Sequence, residues 1–130
     1  MQASERGEEM TASRLVVNDY LAAFYAGDFA RAEAFVADDF HFKGPFVEVL
    51  SKEAYFASAA RLALIAKGHR MLHQWQDGDE ICSVYDVDLE TPAAKGSVIM
   101  SEWHTVRNGK LASSRLILDT AAFRALVAPA

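Results

Sequence analysis

Three side chains of this sequence could together move a proton: the carboxyl of Asp86, the imidazole of His73 and the phenol of Tyr20. A carboxyl group that is removed from water resists ionisation, so its pKa rises toward the range in which it can both take up and return a proton. An imidazole nearby can relay that proton, and a phenol can donate a hydrogen bond to a developing oxyanion. We therefore predict Asp86 as a base, His73 as a proton relay and Tyr20 as the electrophilic donor.

Each of the three also has a purely structural interpretation. Asp86 would then lie at a wet rim, His73 would donate to a neighbour, and the Tyr20 ring would pack in the core with its hydroxyl satisfied by another side chain. In that case the protein binds a ligand without changing it. We predict no metal site, because His69 and His73, four residues apart on a strand, are separated by about 13 Å. No cofactor is expected.

These residues must be positioned by helices and strands, and the spacing of apolar residues changes from helical to alternating at Gly68. Before it, apolar side chains recur at helical spacing in three segments: one from Thr11 to Gly27, a second capped by Asp28, and a third over 52–66 that is capped by Ser51 and stopped by Gly68. After it, apolar and polar residues alternate, which predicts strands at 69–77, 80–90, 97–107 and 110–119. A short strand at 40–42 and a closing helix to 127 complete the chain. Helices followed by an antiparallel meander predict an α+β fold, with helices on one face of a curved sheet.

Turn lengths determine which side chains of the sheet share a face. Asn108-Gly109, a strong two-residue hairpin signal, pairs Arg107 with Lys110, and counting back from each turn places Asp86 and His73 on one face. We expect this face and the first helix to enclose a pocket for a small hydrophobic molecule. The predicted ligand wall consists of Phe24, Phe42, Met71, Trp75, Val84, Ser101, Trp103, Ser114 and Leu116.

The opposite face of the predicted sheet is also too apolar to face water. It includes Ile81, Tyr85, Val98 and Met100, and it sets Glu102 opposite Arg115, a pair to which we assign no catalytic role. Because helices can cover only one side of this sheet, we predict a homodimer through the outer sheet face.

Composition limits the remaining possibilities. The chain has 130 residues, of which 52% are hydrophobic and 24% charged, so we predict one domain over 11–130 preceded by a disordered polar tail at 1–10. A net charge of −5 argues against a nucleic-acid partner. No apolar run approaches the roughly 18–20 residues that span a bilayer, so no membrane association is expected. The single cysteine, Cys82, favours a reducing cytoplasmic location.

Two stretches of the chain, YLAAFYAGDFARAEAFVADDFHFKGPF and NGKLASSRLILDTAAFRAL, resemble the nuclear transport factor 2-like superfamily. The resemblance is to its ketosteroid isomerase and SnoaL-like polyketide cyclase branches, and the order of elements agrees from Thr11 onward. It implies a cone-shaped barrel whose helices and curved sheet enclose an apolar cavity, usually in a dimer. Its members include isomerases, cyclases, dehydratases, epoxide hydrolases and non-catalytic subunits.

The catalytic positions of these relatives transfer only in part. The oxyanion-hole tyrosine of the isomerase falls on Tyr20, but its general-base aspartate falls on Gly44 and its protonated aspartate near Ser101. The aspartate on the last strand of the cyclase falls on Leu116. The resemblance therefore implies either a cofactor-free isomerase or lyase that transfers a proton next to a carbonyl of a hydrophobic substrate, or a non-catalytic ligand-binding or assembly module with the same cavity.

Overall fold

The structure, a computed structural model, describes residues 11–127. The predicted tail at 1–10 and the last three residues lie outside the described residues. In chain order the elements are α1 (Ala12–Tyr25), α2 (Phe29–Glu33), β1 (Val36–Lys43), β2 (Glu48–Val49), α3 (Lys52–Ile65), β3 (Ala66–Asp77), β4 (Glu80–Glu90), β5 (Lys95–Arg107), β6 (Lys110–Leu118) and α4 (Thr120–Val127).

Side-chain oxygens begin the first three helices. Thr11, Asp28 and Ser51 accept hydrogen bonds from the backbone N–H groups three residues later, at 3.2, 3.1 and 3.1 Å. These caps satisfy amides that have no partner inside the helix, and the two predicted at Asp28 and Ser51 are confirmed. Gly27, with φ of +79°, makes the turn between α1 and α2.

The strands form a six-stranded sheet in the order β2-β1-β6-β5-β4-β3. The α+β prediction is confirmed, and β3 to β6 form the predicted antiparallel meander. The whole sheet is mixed rather than antiparallel, because β1 runs parallel to β6. The sheet is also open, with β2 and β3 at its edges, so it forms a curved cone wall and not a closed barrel.

Gly68 does not end the third helix as predicted. The helix ends at Ile65, and its C-cap residue Ala66 is already extended with φ −78° and ψ 125°. Strand β3 begins there and includes Gly68. The change of period after Gly68 marked the strand correctly, but the backbone leaves the helix two residues earlier.

The helices cover the sheet face that the turn lengths suggested would face outward. This inner face includes Ile81, Tyr85, Val87, Val98 and Met100, all at most 2% exposed. The α1 residues Val17, Tyr20, Leu21 and Phe24 pack in the same core, as their helical spacing predicted. The two sheet faces are therefore interchanged relative to the prediction, since the alternation separates the faces but does not say which of two apolar faces the helices choose.

Candidate functional site

A cavity of about 690 Å³ lies between the helices and the inner face of the sheet. This volume is within the range of small-molecule sites. Its walls are mostly aromatic and aliphatic. The lining residues are Tyr20, Leu21, Phe24, Tyr25, Phe42, Gly44, Pro45, Phe46, Val47, Tyr55, Ser58, Ala59, Arg61, Leu62, Ile65, Tyr85, Met100, Glu102, Leu116, Leu118, Phe123 and Val127.

Glu102, in the middle of β5, is the acidic group of this cavity. It is 4% exposed, and the hydroxyl of Tyr85 on the neighbouring strand donates to its Oε1 at 2.6 Å. Burial raises the pKa of Glu102 to about 7, although the Tyr85 hydrogen bond acts in the opposite direction. Near neutral pH this carboxyl group is therefore poised between its protonated and ionised forms, which a group that alternately accepts and donates a proton requires.

His104 lies two residues further along β5, on the same face as Glu102. Its ring is fully buried, with Nδ1 2.6 Å from Ser114 Oγ and Nε2 3.6 Å from Glu102 Oε1. Within the described part of the chain, Nε2 has no hydrogen-bond partner. Burial lowers the pKa of His104 to about 3, so the imidazole is neutral at physiological pH.

Four tyrosine hydroxyls line the cavity in two pairs. The hydroxyls of Tyr20 and Tyr55 lie 2.5 Å apart, and those of Tyr25 and Tyr85 lie 3.2 Å apart. Burial raises the pKa of all four phenols above the ordinary value. All four remain protonated. Because Tyr85 donates its proton to Glu102, the hydroxyl available to donate to a substrate oxygen that gains negative charge is the one that accepts the hydrogen bond within the Tyr20–Tyr55 pair.

Tyr20, Phe24, Phe42 and Leu116 line the cavity, as predicted. The carboxyl group that shares this cavity with Tyr20 is Glu102 and not the predicted Asp86. Ser114, predicted as a wall residue, is buried and hydrogen-bonded to His104, and it is not among the described residues that line this cavity.

Asp86 and His73 are not among the described residues that line the cavity, and their predicted convergence with Tyr20 is wrong. Asp86 lies on the outer face, where its Oδ2 is 3.2 Å from Arg70 Nη2. The His73 ring packs on Trp75, with 4.1 Å between the centroids. Both residues belong to the face that the helices leave uncovered.

The remaining predicted wall residues are absent from the cavity lining that the described residues form. Val84, Ser101 and Trp103 share the outer face with Asp86, and Met71 and Trp75 are exposed on β3. The physical reason is the interchange of the two sheet faces.

Irregular strand pairing also changes the register of the last strand relative to the prediction. A bulge between Thr105 and Val106 shifts the pairing of β5 with β6 by one residue, so Glu102 lies opposite Leu116 and not opposite Arg115 as predicted. Glu102 consequently has an apolar neighbour instead of a cation. The signal for Glu102 was its period-2 spacing with Met100 and His104, which puts a carboxyl group and an imidazole on one largely apolar face.

The comparisons with known proteins decide the family. The sequence profile described as a SnoaL-like domain matches residues 17–114. The chain belongs to the SnoaL-like domain family. A search of the curated proteins gave no match. Within residues 11–127, no helix is both long and apolar enough to cross a membrane.

Solved structures show the nuclear transport factor 2-like fold for this SnoaL-like domain. An NTF2-like protein of unknown function from Burkholderia pseudomallei is 14% identical, with 92% of this chain and 100% of that chain covered and a TM-score of 0.81. TerC, co-crystallised with polyporic acid, is 16% identical, with 92% and 100% covered and a TM-score of 0.80. A protein of ketosteroid isomerase-like fold from Catenulispora acidiphila, in complex with trimethylamine, is 13% identical, with 85% and 90% covered and a TM-score of 0.75.

Proposed function

We propose that this SnoaL-like domain is a cofactor-independent isomerase or lyase that transfers a proton next to a carbonyl group of a hydrophobic molecule. The observation that supports this most is Glu102, a single carboxyl group inside an apolar cavity, with a pKa raised by burial to about 7. We place the protein in the cytoplasm, where the free thiol of Cys82 is preserved.

In the proposed reaction, ionised Glu102 takes a proton from the carbon next to the carbonyl. The C–H bond breaks, its electron pair forms an enolate, and the proton resides on the carboxyl group. In the Tyr20–Tyr55 pair one hydroxyl donates to the other, and the hydroxyl that accepts this hydrogen bond donates its own proton to the enolate oxygen. For a β,γ-unsaturated carbonyl compound, return of the proton from Glu102 to the γ-carbon gives the conjugated isomer. For a substrate with a leaving group on the β-carbon, that group departs with its bonding electron pair and takes the proton from Glu102, which gives an α,β-unsaturated product and a lyase.

His104 supports the protonated form of Glu102 in this mechanism. In the tautomer whose Nδ1–H donates to Ser114 Oγ, the lone pair of Nε2 faces Glu102 Oε1 across 3.6 Å. A protonated Glu102 can turn its hydroxyl toward that lone pair. The imidazole thus holds the proton near the cavity between its removal and its return.

The alternative function is a non-catalytic ligand-binding or assembly module. The carboxyl positions of the named relatives hold Gly44, Ser101 and Leu116 in this chain. Such a protein would use the same cavity and tyrosines to hold a ligand unchanged.

Deuterium exchange separates the two functions. We expect the protein to accelerate incorporation of deuterium next to the carbonyl of a hydrophobic ketone in D₂O, measured by NMR with 1-tetralone and 4-phenyl-2-butanone as probes. Heat-denatured protein is the control, because Glu102 is a base of raised pKa only in the folded cavity. Chemical-shift changes at cavity residues with no gain in exchange would support the non-catalytic module and contradict the enzyme.

We also propose that the uncovered sheet face joins two copies of the chain. Trp75, Ile99, Trp103 and Ile117 are 53, 56, 47 and 57% exposed and form an apolar patch on that face. An apolar surface of this kind is unusual on a monomer. The predicted homodimer is retained, with the interface on the face opposite to the one that the sequence suggested.

Charge on the same face is complementary under two-fold symmetry. Asp86 and Asp88 each lie 3.2 Å from Arg70 near the β3–β4 side of the sheet, and Lys95 is a second cation close to Asp88. Lys43 and Arg115 lie side by side on β1 and β6 near the other side. In an isologous interface, Asp86 and Asp88 of one copy can meet Lys43 and Arg115 of the second, which favours another copy of this chain as the occupant.

Sedimentation at micromolar concentration tests the dimer. We expect roughly twice the chain mass of 14.3 kDa for the wild type and a monomer for Ile99→Glu, because the substitution buries an unpaired carboxylate at the interface. Leu64→Glu, at an apolar residue of α3 that is 76% exposed, is the matched control and should stay dimeric. A wild-type monomer, or equal dissociation of both variants, would refute this interface.

A further inference from the structure

Arg61 is the one cation among the cavity-lining residues that the structure describes. It lies on α3 and is exposed, and within residues 11–127 it forms no ion pair. The exposed lining residues mark the mouth of the cavity: Pro45, Phe46, Val47, Ser58 and Arg61. The guanidinium is therefore held at the entrance, without a carboxylate from the described chain to neutralise it.

Ser58 adds a hydroxyl at the same place. Residues three apart on a helix are neighbours on one face, so Ser58 and Arg61 present a hydroxyl and a guanidinium together at the mouth. A guanidinium with an adjacent hydroxyl matches the planar or tetrahedral oxygens of an anion.

The charges divide the cavity into two ends. Glu102 is buried at the inner wall, whereas Arg61 is exposed at the mouth. An anionic group placed beside Glu102 would oppose its ionisation, and the aromatic walls between offer no cation. A negatively charged substrate group is accommodated only at the Arg61 end.

We propose that the substrate is an amphipathic anion, with an apolar ring system inside the cavity and a carboxylate or phosphate bound by Arg61 and Ser58 at the mouth. This inference rests on the proposed function and names its substrate class. Arg61 acts as a specificity-determining residue: it orients the molecule so that the uncharged carbonyl end reaches Glu102 and the tyrosines.

Competition binding tests the proposal with the full chain. The neutral dye N-phenyl-1-naphthylamine reports occupancy of the cavity by fluorescence, and 2-naphthoate, 2-naphthyl phosphate and neutral 2-naphthamide compete with it. Arg61→Gln should weaken the binding of at least one of the two anions by about fivefold and change the binding of 2-naphthamide by less than about twofold, as expected for an exposed ion pair. The anion whose affinity falls more in Arg61→Gln identifies carboxylate or phosphate as the preferred group.

Lys67→Gln is the matched control. It removes the same charge from an exposed residue near the start of β3 that is absent from the described cavity lining, and it should leave all three competitors unchanged. Equal effects of Arg61→Gln on the anions and the amide, or no effect on any, would overturn the anion site while leaving the proposed function standing. If the dye fails to bind the wild type, the cavity is not an apolar ligand site, and both the anion site and the proposed function are contradicted.

Discussion

Glu102→Gln should lower the rate of carbon–hydrogen exchange in a substrate ketone by about 10²–10⁴-fold, the usual contribution of a positioned general base. Glutamine retains the shape of the side chain and an oxygen that can accept the Tyr85 hydrogen bond, so the fold of the cavity is preserved. Only the capacity to take a proton is lost. Exchange measured by NMR at a fixed ketone concentration, with the dye-binding assay as a check on the cavity, gives the effect on rate separately from binding.

The pH dependence of the same reaction identifies the group. Because the base is the ionised form, the wild-type rate should rise with pH and level off above a midpoint of about 7, following the raised pKa of Glu102. Glu102→Gln should abolish that midpoint.

Asp86→Asn is the informative comparison. Asp86 was the base predicted from the sequence, but it lies on the outer face beside Arg70. We expect the rate and its pH midpoint to stay close to wild type. A loss as large as that of Glu102→Gln would make Asp86 the base and contradict the assignment of Glu102.

The second large effect is a pair of opposite pH dependences of stability. Glu102 has a folded pKa of about 7 against an ordinary 4.5, so its contribution to stability is fully present below pH 4.5 and is lost as pH rises to about 7. His104 has a folded pKa of about 3 against an ordinary 6.5, so its contribution is present above pH 6.5 and is lost as pH falls toward 3. Between pH 4.5 and 6.5 the two slopes oppose each other in the wild type.

Single substitutions should reveal how much each group contributes to the pH dependence of stability. Relative to wild type, the free energy of unfolding of Glu102→Gln should rise as pH rises from 4.5 to 7, and that of His104→Gln should rise as pH falls below 6.5. Each slope approaches about 1.4 kcal/mol per pH unit, whatever constant offset the substitution adds through packing. Urea unfolding at a series of pH values measures the difference.

Leu64→Gln, at an exposed residue of α3 that carries no ionisable group, is the control and should run parallel to wild type. If both buried variants also ran parallel to wild type, neither group would titrate differently in the folded and unfolded states, and the proposed proton chemistry at Glu102 would lose its basis.

Local signals in the sequence determined where two of the helices begin and where the last hairpin turns. Asp28 and Ser51 cap helices because a short side-chain oxygen reaches a free backbone amide, which depends only on neighbouring residues. Asn108 and Gly109 adopt φ of 53° and 75°, positive values that asparagine and glycine tolerate, and so form the turn of the predicted hairpin. The fold family followed from the resemblance of two stretches of the sequence to known relatives, and the position of Tyr20 in the cavity from that resemblance together with its helical spacing.

Only the tertiary structure decided which face of the sheet became the site. Both faces are apolar, so alternation separates Asp86 from Glu102 but does not say which of them the helices cover. Which face the helices cover depends on the direction in which the sheet curves and on the pairing of β1 with β6. Both depend on contacts between residues that are far apart in sequence. The bulge at Thr105 and Val106 moved Glu102 away from Arg115 and left it among apolar neighbours. Solvent exclusion, which raises the pKa of Glu102, is a property of the packed molecule and is visible in no local pattern.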